Sequence, residues 1–166
     1  PKDLAAITSL AKDVGIEPKI LNAVQVVNEN QPQVIIDILK KSVGDISNKK
    51  VLLLGLSFKP ETDDVRESIS VKLIEQLQTL VKKISAHDPV AIKNAKNAIS
   101  NNCSVEFIDD WIRAIPDIDI IIIATNWKEY TELINIQNKL KGKVLFDTRS
   151  FLSITGNKDF RYLTTN

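Results

Sequence analysis

Short segments carry the side chains of this chain that could hold a charged ligand. They are the stretch 55–68, Gly-Leu-Ser-Phe-Lys-Pro-Glu-Thr-Asp-Asp-Val-Arg-Glu-Ser, then Asp88, Thr125-Asn126, and Asp147-Thr148-Arg149. Lys59 offers a point positive charge and Arg149 a planar, two-pronged donor, a pair suited to a diphosphate. Arg66 follows in the first segment, with Asp63 and Asp64 placed to pair with it or to cap a helix that it continues. Isolated loop charges of this kind are also ordinary solvated surface, so spacing alone leaves both readings open. A Gly-x-Gly-x-x-Gly fingerprint is missing, because Gly55 is the only glycine between Gly44 and Gly142. Close backbone approach to a dinucleotide pyrophosphate therefore lacks its usual means, and a mononucleotide or nucleotide-sugar fits better. His87, the only histidine, stands beside Asp88-Pro89, where a turn role outranks acid–base work.

These segments gain meaning from the elements that must position them. Apolar residues at helical spacing predict a helix over 3–14, with Asp3 as its N-cap and Gly15 as its stop. A second, long helix is expected from 17 to 43, with Pro18 at its first position. Pro32 removes a backbone donor, so it should bend that helix or divide it into two abutting ones. Both sides of Pro32 are apolar, and either a second subunit or the chain's own domain must cover them. After 47 the pattern becomes strands at 51–54, 83–87, 105–108, 118–124 and 144–146, with a last edge strand at 160–163. Helical stretches at 66–82, 90–99, 110–114 and 128–133 lie between them. Such alternation, with apolar central strands, argues for an α/β fold: a Rossmann-like, doubly wound parallel sheet (48–166) preceded by a helical segment (1–47). In that fold ligands sit outside the carboxyl ends of the strands, which is where 55–59, 88, 125–126 and 147–149 fall.

Composition excludes several classes of function. Twenty-two basic against 21 acidic residues leave a formal charge of +1, without the electrostatic footprint of a nucleic-acid binder. No apolar run reaches the roughly 18 to 20 residues that a membrane helix needs, and Pro-Lys-Asp-Leu at the start has no signal-peptide pattern, so a cytoplasmic location is expected. Cys103 is alone, which leaves no disulfide framework and no zinc pattern, and its neighbours supply no cation to activate a thiol. The chain has no methionine and opens on Pro1 with a helical pattern already running, as expected of an excised piece of a longer protein, although removal of an initiator Met before Pro would also explain the start.

The string 55–68 resembles, almost residue for residue, the signature of the UDP-glucose/GDP-mannose dehydrogenase family. Three further matches stand in order: Pro1-Lys2-Asp3-Leu4 is similar to the segment after that family's catalytic cysteine, Asn28-x-x-Gln31 to part of its long central helix, and Asp147-Thr148-Arg149 to its late substrate-binding arginine. The resemblance covers essentially the whole chain as the last third to two fifths of a family member. It implies part of the central helical domain and all of the UDP-binding domain, with the NAD domain missing. The family's cysteine would fall two residues before Pro1, and Cys103 does not match it.

The resemblance implies a four-electron oxidation of a sugar C6 alcohol to a carboxylate, with two NAD and an enzyme-bound thioester. Position by position, Asp3 would assist the water and proton steps (the catalytic assignment), and Lys2 and Arg66 would contact an NAD held mainly by the missing domain. Phe58, Lys59 and Arg149 would bind the nucleotide-sugar. A homodimer would form through the helix around 17–43, and the piece alone would be catalytically silent. Pro60 after Lys59, together with the Glu17-Pro18 helix start, leans towards UDP-glucose; GDP-mannose and UDP-N-acetylmannosamine are the rivals within the family. A stand-alone nucleotide-binding or dimerisation module is the rival outside it.

Overall fold

The computed structural model describes residues 2–100, 102–155 and 158–165. Two helices come first, α1 (Lys2–Asp13) and α2 (Lys19–Val43). Of the two forms that Pro32 permits, α2 takes the unbroken one, and Pro18 stands just ahead of it as the N-cap. Gly44 ends the helix at φ 83°, its N–H donating to the Lys40 carbonyl at 2.8 Å. A residue with a Cβ would be strained in that left-handed position. The two halves of α2 have different fates. Ile35, Ile36 and Leu39 are buried in one cluster with Val51, Leu53 and Phe146 of the sheet. Ile20, Val24 and Val27, earlier on the helix, remain exposed.

The sheet is wholly parallel, in the order β3-β2-β1-β4-β5-β6. Its strands are β1 (Lys50–Leu54), β2 (Lys83–His87), β3 (Val105–Phe107), β4 (Ile120–Ile123), β5 (Val144–Asp147) and β6 (Arg161–Thr164). Strand order runs one way from β1 to β3 and the other way from β4 to β6. The reversal between β1 and β4 is the switch point at which such sheets open a crevice. β4 is four consecutive isoleucines, all at 0% exposure, because helices cover both faces of the sheet. Burial of each such side chain stabilises the fold by about 1.5 to 3 kcal/mol.

On one face lie α2, α3 (Ile69–Leu77) and α4 (Ile92–Ala98). On the other, α5 (Trp111–Ala114) and 3-10 turns at Lys128–Ile134 and Gln137–Leu140 pack against Leu52, Leu54, Ile121 and Ile123. The helix expected over 66–82 is shorter at both ends. Glu67 takes φ 58°, which no helix accommodates, and Ser68 is the true N-cap, its Oγ accepting from the Ser70 N–H. Neither Asp63 nor Asp64 caps α3. Arg66 therefore lies on the loop before α3 and not on its first turn. Helical spacing overran the helix because Val65 before it and Leu80 after it also pack into the core.

Candidate functional site

The carboxyl ends of β1, β4 and β5 bring three loops together. Thr125, after β4, donates its hydroxyl to the Ser57 carbonyl at 2.6 Å. Arg149, after β5, donates Nε to the Ala124 carbonyl at 2.6 Å, and Thr148 donates its hydroxyl to the Ile123 carbonyl at 2.7 Å. The loops of 55–59, 124–126 and 147–149 are thus joined side by side along one edge. Gly55 makes the closest approach. Its φ is 94°, and a Cβ there would sit 2.5 Å from Thr125 Cβ and 2.6 Å from the Thr125 nitrogen. The missing side chain makes room for the neighbouring loop. The role of this glycine is therefore the packing of the β1 end against the β4 loop.

Two buried carboxylates shape the edge. Asp147, at 0% exposure, accepts from Arg149 N–H through Oδ1 and from Phe151 N–H, Leu152 N–H and the Tyr162 hydroxyl through Oδ2. Asp88, at 2% exposure, accepts through Oδ1 from Val90 and Ala91 N–H. Its Oδ2 accepts from Leu56 N–H at 2.7 Å, Ser57 N–H at 2.9 Å, Ser57 Oγ at 2.9 Å and Trp127 Nε1 at 3.1 Å. Burial by itself would raise the Asp88 pKa, but the N–H groups of Val90, Ser57, Leu56 and Ala91 outweigh it and hold the carboxyl below the ordinary aspartate range. Asp88 is ionised at neutral pH.

From this frame the expected ligand-binding side chains project. Phe58 is 39% exposed, unusual for a phenylalanine, and its N–H is tied to the Asp64 carbonyl. Lys59 is exposed and makes no hydrogen bond or ion pair among the described residues. Among the described residues the Arg149 side chain donates only through Nε, and its two Nη groups have no acceptor there. Burial lowers its pKa, and nearby Asp147 works against that shift. Glu61, Glu67 and Ser150 have φ of 61°, 58° and 51°; the first two lie on the connection from β1 to α3 that carries Lys59, and the third directly follows Arg149. They are the non-glycine residues with positive φ among those described, and such strain gathers at functional sites.

The remaining expected residues are placed differently. Arg66 grips Asp64, with Nη2 to Oδ2 at 2.6 Å and Nε to Oδ1 at 2.9 Å, while staying exposed. Asp3 lies exposed in the first turn of α1, and no hydrogen bond joins it to the carboxyl-edge loops. The Lys2 side chain falls outside the described residues. His87 ends β2 with its ring buried, Nδ1 lying 3.1 Å from the Tyr130 hydroxyl. Burial lowers its pKa, with Glu129 opposing, so the ring is neutral at pH 7 and belongs to the core. The turn after β2 is made by Asp88. Sequence reading placed Asp88 at the edge but missed its reach to Ser57 and Trp127, which are 31 and 39 residues away.

A family model, "UDP-glucose/GDP-mannose dehydrogenase family, UDP binding domain", matches residues 52–154. The chain belongs to that family. It is 32% identical over 163 residues to the UDP-glucose 6-dehydrogenase AglM of Haloferax volcanii, covering 98% of this chain and 37% of the relative. The solved UDP-glucose dehydrogenase of Pyrobaculum islandicum superposes with a TM-score of 0.81 at 31% identity, over 99% of this chain and 36% of that one. A GDP-mannose dehydrogenase from Pseudomonas aeruginosa does so with a TM-score of 0.77 at 27% identity, over 98% and 38%. The chain thus spans under two fifths of the length of these family members. It is the region that carries the UDP-binding domain, built on a Rossmann-like sheet.

Proposed function

We propose that this chain is the nucleotide-sugar-binding part of an NAD-dependent UDP-glucose 6-dehydrogenase, with Lys59 and Arg149 taking the diphosphate and Phe58 packing against the nucleotide-sugar. The observation that carries the reading is the joining of the family's Phe58-Lys59 loop to Arg149, whose Nη groups have no acceptor among the described residues. Two cations on neighbouring loops recognise a diphosphate better than either alone, and each charge-assisted hydrogen bond contributes about 1.5 to 3 kcal/mol. Lys59→Ala should weaken UDP binding to the 166-residue chain by about tenfold or more. Calorimetric titration checks this, and an unchanged dissociation constant would remove Lys59 from the site. UDP-glucose, GDP-mannose and UDP-N-acetylmannosamine compared in the same titration separate the substrates, and the likeness to a GDP-mannose dehydrogenase keeps the second in contention.

The oxidation would draw on more than these residues. NAD supplies the hydride acceptor, and within this chain Lys2, Asp3 and Arg66 are the proposed contributors beside it, with Asp3 handling water and proton steps. The sequence has no Gly-x-Gly-x-x-Gly fingerprint, which supports an NAD held mainly by another part of the enzyme. The chain by itself would bind the nucleotide-sugar without turning it over.

A homodimer is the proposed assembly. Ile20, Val24, Val27 and Val34 form one exposed stripe along α2, spaced as one helix face, and Ile7 and Leu10 on α1, with Val14 just after it, add exposed apolar surface. A patch of this kind calls for cover. Sedimentation should show a two-subunit particle; a monomer at tens of micromolar would count against this stripe as the contact.

A further inference from the structure

Asp88 does more than its own turn requires. The turn into α4 needs only Oδ1, which accepts Val90 N–H at 3.0 Å and Ala91 N–H at 2.8 Å. Oδ2 points the other way, across to the β1 and β4 loops. There it collects two backbone N–H groups, one hydroxyl and one indole N–H, from Leu56, Ser57 and Trp127. The indole N–H also reaches Ser57 Oγ at 3.0 Å. Ser57 is consequently held on every polar group: N–H and Oγ by Asp88, Oγ again by Trp127, and its carbonyl by Thr125. The next residue is Phe58 and the one after is Lys59, both exposed.

We propose that Asp88 is a positioning residue for the nucleotide-sugar: through Ser57, and with Trp127 as its lock, it sets the direction in which Phe58 and Lys59 leave the sheet. This rests on the reading of the Phe58-Lys59 loop as ligand-binding. Crowding several donors on one oxygen needs the negative charge, because buried donors left without an acceptor are costly and a neutral amide oxygen is a weaker acceptor. An asparagine would moreover turn its NH₂ towards one of the two groups of N–H donors, since both oxygens accept. A buried carboxylate surrounded by dipoles from three loops therefore couples the β2 turn to the ligand loop, although it touches no ligand.

The test compares the 166-residue chain with Asp88→Asn, Trp127→Phe and Ser57→Ala, using UDP titration and amide hydrogen exchange. In Asp88→Asn, exchange at Leu56 and Ser57 should quicken while Leu52 and Leu53 of β1 stay protected, and the UDP dissociation constant should rise about tenfold to a hundredfold. Trp127→Phe, which keeps an aromatic ring and loses the N–H, and Ser57→Ala should each show a smaller change of the same sign. A residue of merely structural importance would lower protection throughout the sheet and leave the affinity of the folded molecules alone. Wild-type affinity in folded Asp88→Asn overturns the proposal; should that variant not fold, wild-type affinity in both of the others does so. A wild-type chain that takes up no UDP overturns instead the nucleotide reading on which the proposal stands.

Discussion

Gly55→Ala should destabilise the fold by about 2 to 5 kcal/mol, the sum of a left-handed backbone penalty and an overpacking penalty that nothing nearby can relieve. At φ 94° the backbone is one that L side chains rarely adopt. The three nearest atoms to the added methyl, at 2.5, 2.6 and 2.9 Å, are Thr125 Cβ, N and Cα, so no flexible side-chain end can swing away. Gly55 is also fastened at both peptide groups: its N–H donates to the His87 carbonyl at 2.8 Å and its carbonyl accepts from the Ser70 hydroxyl at 2.6 Å. Relief would require separating the β1 and β4 loops, which breaks the 2.6 Å Thr125–Ser57 bond that aligns the ligand edge. Chemical denaturation should give a midpoint far below wild type with an unchanged slope. A loss under 1 kcal/mol would mean that the edge is much softer than its packing indicates.

Such a clash shows what could and could not be read from the residues. The parallel sheet was legible because isoleucines and leucines buried on both faces leave continuous apolar runs, and their alternation with helices admits few topologies. With that order given, the loops of Lys59 and Arg149 had to fall on one edge. Gly55 was visible as the glycine ending a strand, yet its reason was hidden: Thr125, 70 positions later, occupies the space its side chain would need. Asp88 was hidden in the same way, since the donors that define it come from loops distant in sequence. The start of α3 was misplaced for a local reason. Val65 keeps the helical spacing, while the left-handed turn at Glu67 leaves no trace in a pattern of apolar residues.

Asp147→Ala should cost the ligand edge both stability and affinity, and the two losses have one origin. The carboxylate accepts three backbone N–H groups, those of Arg149, Phe151 and Leu152, and the Tyr162 hydroxyl, all at 2.9 to 3.0 Å. Tyr162 has a second acceptor in the Leu152 carbonyl at 2.9 Å, so it can remain satisfied. The three N–H groups have no acceptor in reserve among these bonds. Each orphaned donor costs about 1 to 3 kcal/mol, and partial hydration of the half-buried turn brings the expected total to about 3 kcal/mol. Release of the turn also frees Ser150 from its φ of 51°, and with it the backbone that holds Arg149 Nε against Ala124. Binding of UDP should therefore weaken at temperatures where the variant is still folded. Asp147→Asn, which keeps one acceptor oxygen, should recover part of the loss in both measurements. If Asp147→Ala unfolds more readily yet binds UDP as tightly as Arg149-intact wild type, Arg149 does not need the turn to reach the diphosphate, and its placement must come from the Ala124 contact alone.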